Sequence, residues 1–95
     1  MGLPRIIDVM VTSGSGSTIV QLGGVCVGFG VKPPNSVAVY DCEITDVDGF
    51  GIGLIDDGTG VASIEIYRQL YGEHTVAITN ATVNGIYQIK IWYGD

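Results

Sequence analysis

Charge is scarce in this 95-residue sequence. Only 15% of its residues are Asp, Glu, Lys or Arg, against roughly 25% in ordinary soluble domains. The cations are Arg5, Lys32, Arg68 and Lys90, scattered and forming no run or stripe. A nucleic-acid backbone needs clustered cations, so that class of partner is disfavoured. An anionic membrane surface is disfavoured on the same ground. The sequence also lacks the stretch of roughly 18 apolar residues from which a membrane-spanning helix is built. Residues 1–5 do not show the charged and then apolar regions of a secretory leader, so the expectation is a soluble chain made in a cytoplasm. Two cysteines, Cys26 and Cys42, are too few for a disulfide scaffold.

Histidine is nearly absent as well, with His74 alone. Serines and aspartates are plentiful, but His74 has no nucleophile-elbow pattern to accompany it. A surface or half-buried imidazole is the expected role. Cys26, Cys42 and His74 do not have the close spacing of zinc ligands. Residues 49–53 alternate glycine but open no helix, so they make no phosphate cradle. Asp41 and Glu43 share one face of a strand, too close together for most carboxylate-pair glycosidases, and read as a solvated face. No catalytic residue, metal ligand or cofactor is expected.

What the chain does have is apolar character, at 46% of residues, and 15 glycines that break every apolar run. Short strands at regular spacing follow from that pattern. They fall at about 5–12, 18–22, 25–31, 36–44, 50–55, 61–68, 75–79 and 86–93. The expected architecture is all-β: one antiparallel β-sandwich domain over 1–95, jelly-roll or Ig-like, with roughly seven or eight strands. Residues 1–5 are an extended arm and 13–17 a mobile Ser/Gly loop. The stretch 75–95 holds two alternating runs around Asn84-Gly85, the pattern of a closing hairpin. Tyr87, Ile89, Ile91 and Tyr93 fall on one face of its last strand, and Ile86, Gln88, Lys90 and Trp92 on the other. Gly28 and Gly30 leave one strand face bare, where a neighbour can approach closely.

Two local features bear on chemistry. If residues 32–36 form a hairpin loop centred on Pro34, Cys26 lies opposite Cys42 and could oxidise given suitable geometry. Two buried thiols acting as small hydrophobes are the preferred reading in a reducing compartment. The acidic turns at 46–49 and 56–58 are candidates for a calcium ion, but a strand of roughly 20 Å separates them. Neither has the twelve-residue calcium-loop pattern, and Asp with Gly is what tight turns require. Asn80-Ala81-Thr82 matches a glycosylation acceptor and reads more simply as turn chemistry.

Ample apolar surface with few charges to cover it marks a contact site. The expected partners are further copies of the chain, as a homo-oligomer, and a larger assembly. Candidate interface residues are Leu3, Arg5, Tyr67, Tyr71, Trp92 and Tyr93, because aromatics bury area at low entropic cost. The whole chain, with its Ser/Gly loop at 13–17, strand-rich 75–95 terminus, low charge and missing catalytic set, resembles small all-β structural proteins of tailed-bacteriophage virions, particularly head-decoration (cement) proteins. That resemblance implies a non-enzymatic capsid decoration or stabilising protein, located in the virion after synthesis in the host cytoplasm. It would clamp a capsid or other virion protein through apolar contacts and through sheet edges at the first or last strand. The alternative is a carbohydrate-binding β-sandwich module, with Trp92, Tyr71 and Tyr67 stacking on sugars.

Overall fold

Period-two alternation, the mark of a half-buried strand, runs through nearly every element of the computed structural model, which describes residues 3–94. The strands are β1 (Arg5–Val11), β2 (Gly16–Lys32), β3 (Val39–Asp46), β4 (Gly51–Thr59), β5 (Ala62–Thr79) and β6 (Gly85–Gly94). They form one antiparallel sheet in the order β1-β6-β2-β5-β3-β4. The architecture is all-β, as expected, but with six strands in place of seven or eight. Two pairs of expected strands are continuous. The stretch 18–31 is one strand through Gly23-Gly24, and 61–79 is one strand through Gly72, which was expected to lie in a loop.

Those glycines bend the sheet without breaking it. Gly23 and Gly24 lie opposite Tyr71 and Leu70, and Leu22 lies opposite Gly72. Gly24 (φ +144) and Gly72 (φ +87) adopt backbone that other residues rarely take. The long β2–β5 ribbon therefore turns at one level. Its two halves carry different neighbours: β6 pairs with residues 25–32 of β2, and β3 pairs with 74–79 of β5. The sheet folds over on its apolar face. Tyr40 of β3 meets Tyr87 of β6 edge-to-face at 5.4 Å, although β2 and β5 stand between those strands in the sheet.

The enclosed core includes Val9, Phe29, Tyr40, Cys42, Ile44, Val76, Ile78, Tyr87, Ile89 and Ile91, all fully buried. Each large aliphatic or aromatic side chain so buried contributes about 1.5–3 kcal/mol relative to exposure. A β-bulge between Cys26 and Gly28 changes the face of β2. It turns both Cys26 and Phe29 inward and leaves Val25 and Val27 half-buried, where plain alternation put those valines inside.

Among the described residues β3 and β4 are the only consecutive strands that share a ladder; the two hairpins expected elsewhere are not formed. β5 and β6 do not pair, because residues 80–84 cross over the fold. There Ala81 N–H donates to the Gly14 carbonyl (2.9 Å), and Thr82 N–H donates to the Val39 carbonyl (2.9 Å). β2 and β3 do not pair either, since β5 lies between them, so Cys26 is not opposite Cys42. Cys26 pairs with Arg68 and Tyr93, Cys42 with Ile55 and Ile78, and both are free, buried thiols.

The expected mobile loop at 13–17 is a tight turn. Thr12 and Ser15 exchange two backbone hydrogen bonds around Ser13 (φ +53) and Gly14 (φ +82), the backbone of a two-residue hairpin turn. Of the expected arm, Met1 and Gly2 lie outside the described residues and Arg5 already belongs to β1. The sheet edges are β1 and β4; the last strand is interior. Both edges carry features that discourage further pairing, namely Asp8 in β1 and the Asp56-Asp57 bulge in β4.

Candidate functional site

The fold puts two outer faces on opposite sides of the core. Because Tyr40 and Tyr87 meet across the interior, the residues alternating with them on β3 and β6 point away in opposite directions. One face is built from β1, β6 and the second half of β2; the other from β3 and β4.

On the first face, Ile6 pairs with Lys90, Asp8 with Gln88 and Met10 with Ile86. Across the next ladder, Gly28 pairs with Trp92, Gly30 with Lys90 and Lys32 with Gln88. The bare glycines receive an aromatic neighbour. A Cβ at Gly30 would stand 2.9 Å from the Trp92 ring, and one at Gly28 would stand 2.6 Å from the Ile64 carbonyl oxygen. A groove with Gly28 in its floor is bounded by Trp92 and Tyr67, with Ser63 and Glu65 beside them. The Lys90 ammonium sits 5.9 Å from the Trp92 ring centroid, at the outer reach of a cation–π contact.

The six candidate interface residues do not form one patch. Trp92 (37% exposed) and Tyr67 (81%) both line the groove. Tyr71 is exposed and shares a second depression with Tyr67, Asp46 and His74. Tyr93 is half-buried, its ring against Gly24, and belongs with the core margin. Leu3 and Arg5 are exposed at the β1 end. The face also contains Ile6, Met10, Ile86, Lys32 and Lys90, none of them among those candidates. The signal for Ile86 and Lys90 was already in the alternation of β6, where they share a face with Trp92.

On the opposite face the side chains are acidic. Asp41 and Glu43 point outward from β3, and Leu54 (49% exposed) lies opposite Glu43 on β4. Carboxylate oxygens of Asp41, Asp56 and Asp57 lie within 4.8 Å of one another. Asp41 Oδ1 accepts from the Asp57 N–H (2.8 Å), and its Oδ2 accepts from Asn80 Nδ2 (2.8 Å). The Asp57 amide, and then Asn80, hold the Asp41 carboxyl below its ordinary range. The negative charges of Asp57 and Asp41 push Asp56 above its own. Both Asp41 oxygens already have donors, which leaves only the four oxygens of Asp56 and Asp57 against the six to eight calcium takes. The cluster braces the β4 bulge.

The second acidic turn is equally structural. Asp46 Oδ1 accepts from the Asp48 (3.0 Å) and Phe50 (2.9 Å) backbone N–H groups, with Gly49 at φ +88. It lies at the other end of β4 from the Asp56-Asp57 bulge, so the two turns do not converge. His74 is 3% exposed and its Nδ1 is 3.0 Å from the Gly72 carbonyl, with neither Ser nor Asp on that nitrogen. Burial pushes the Cys42 thiol up to about 12 and also raises Cys26. Such thiols are protonated and poorly nucleophilic at neutral pH. The described residues offer one face of mixed charge with exposed apolar side chains, one acidic face, and an aromatic groove. No family model matches the chain, and a search of curated proteins finds no match either.

Proposed function

We propose that the chain is a non-enzymatic structural protein whose outer face of β1, β6 and β2 docks on other protein surfaces. A head-decoration or stabilising role on a tailed-bacteriophage virion is the reading that fits best, with the folded-over sheet serving as a small two-layer sandwich. One observation carries it: the ladder registers gather exposed Ile6, Met10, Ile86 and Trp92 on a single side. They form two apolar groups, Ile6 with Trp92 and Met10 with Ile86, on either side of the Asp8–Gln88 pair, and exposed apolar side chains gathered on one side mark a docking site. The test is co-sedimentation with purified tailed-phage capsids, followed by thermal challenge of the shells. Binding that raises shell stability supports the role. Failure to bind any capsid in a panel, with the chain correctly folded, removes it.

A second reading rests on the Trp92–Tyr67 groove. A saccharide could stack on the indole while Ser63 and Glu65 take its hydroxyls, the mix of apolar wall and few polar groups typical of ligand sites. A glycan array separates the two: binding that Trp92→Ala abolishes favours the saccharide.

A further inference from the structure

Half of β5 has an open side. Among the described residues its stretch 62–73 pairs with β2 alone, because β3 joins it only from His74 onward. A depression of about 590 Å³ lies there, within the size range of small-ligand sites. Exposed Tyr67 and Tyr71 of β5 line it, and Asp46 and Asp48 of the β3–β4 turn line it from the other element. Gln69 Nε2 donates to the Tyr71 hydroxyl at 3.2 Å, which steadies that ring.

His74 lines the same depression although it is only 3% exposed. Its Nδ1 lies 3.0 Å from the Gly72 carbonyl. A carbonyl only accepts, so Nδ1 carries the proton and Nε2 keeps its lone pair. No hydrogen bond within the described residues engages Nε2, yet none of their buried side-chain nitrogens or oxygens lacks a partner. Nε2 is therefore the edge of the ring that reaches the depression. The fold holds an unused acceptor, preset in one tautomer, where solvent barely enters.

The surroundings select the ligand. Asp46, Asp48 and Glu73 against the single guanidinium of Arg68 disfavour an anion. A bound metal ion is disfavoured too, since among the described residues only Asp41, Asp56 and Asp57 bring three ligand atoms within 4.8 Å of one another. An extended peptide needs an even edge to pair with, and β5 interrupts its own twice. Ile66 and Tyr67 together face Val27 at the bulge, and Gly72 stands at φ +87. A neutral ring rich in hydroxyls meets every group present. Its hydroxyls donate to Nε2 and the carboxylates and accept from Arg68, while its apolar face packs on tyrosine. The geometry points to a saccharide site in this depression, with His74 Nε2 as its buried acceptor and Tyr71 as its stacking wall. The ligand class is that of the saccharide reading above, but the place is new: only Tyr67 is shared with the Trp92 groove. The two sites can therefore fail separately.

An array of neutral oligosaccharides and their uronic-acid counterparts tests this, probed with the full chain, Tyr71→Ala and Trp92→Ala. Neutral members should bind and the uronic acids should bind more weakly. Tyr71→Ala should weaken binding roughly tenfold, through the lost ring and hydroxyl, and Trp92→Ala should leave it in place. Nitrogen NMR of the parent imidazole, titrated with the best neutral oligosaccharide, should show the Nε2 signal moving while Nδ1 stays. That measurement needs no substitution, so it decides if a variant misfolds. Binding that Trp92→Ala abolishes and Tyr71→Ala spares overturns this site and leaves the groove reading standing. Binding that ignores Trp92→Ala but falls with Tyr71→Ala does the reverse. Silence across the array overturns the proposal, as does binding that leaves Nε2 unmoved. A lysine–valine alternating peptide of about eight residues is the last arm. If it slows hydrogen exchange of the 67–73 amides where no sugar does, the open side receives a partner strand and the saccharide site is overturned.

Discussion

Asp41 fixes two residues in left-handed backbone at once, through the amide of Asp57 (φ +53) and the side chain of Asn80 (φ +51). Such conformations cost non-glycine residues free energy unless something holds them. Asn at position 41 keeps only one acceptor oxygen, so Asp41→Asn should destabilise the fold by about 1 kcal/mol at neutral pH, read by urea denaturation. The pH dependence follows from the direction of each shift. Asp41 is lowered in the fold, so its contribution is present above the ordinary Asp value of about 3.9 and is lost as pH falls through the folded value. Asp56 is raised by Asp57 and Asp41, so its ionised form opposes the fold above its raised pKa and ceases to as pH falls. Asp56→Asn should therefore stabilise at pH 7, with the gain gone by about pH 3; an equal effect at both pH values would contradict this origin. The buried thiols give a second check. Cys26 and Cys42 should resist a disulfide-exchange reagent at about pH 8 until guanidinium unfolds the chain, and then react at both positions.

Among the elements, the β2–β5 ribbon decides the architecture. Gly28 is needed there for close approach rather than for backbone freedom, because a methyl group would reach within 2.6 Å of the Ile64 carbonyl. Gly28→Ala should cost about 1–3 kcal/mol by overpacking, measured as a lowered thermal midpoint, whereas the exposed Ser63→Ala should change little. The sequence made the strands and their faces legible: Tyr87, Ile89 and Ile91 are inside, and Gln88 and Lys90 outside, as alternation requires. It did not reveal which strands pair. Gly23-Gly24 and Gly72 look like ends when each is read alone, and only their positions at one level of the ribbon show them to be bends. Asn84-Gly85 suggested a hairpin. Asn84 instead accepts the Gly14 N–H at 3.0 Å, so the segment ties two distant turns together. For the interface, Tyr67 and Trp92 were visible as aromatics, but their sharing one groove with Gly28 depends on a register that no local pattern encodes. Tyr93 shares the inward side of β6 with Tyr87, and alternation alone argued against placing it at an interface.

At the scale of the molecule, five connections yield a single hairpin, β3–β4; every other ladder joins strands that are not consecutive. Chain closure between distant segments must precede most of the stabilising contacts, which slows folding. Refolding from urea should accordingly occupy milliseconds to seconds, as for all-β domains of similar size; a microsecond phase carrying the full amplitude would contradict the topology. The position of β6 between β1 and β2 has a further result for biosynthesis. Its ten residues fill a slot whose two walls are made long before it, so β1 waits without a partner until the ribosome has released Gly85–Gly94. A nascent chain arrested before that point exposes Val9 and Val11 to solvent, and a stop codon upstream of Gly85 should send the product to proteolysis rather than leave a trimmed version in service.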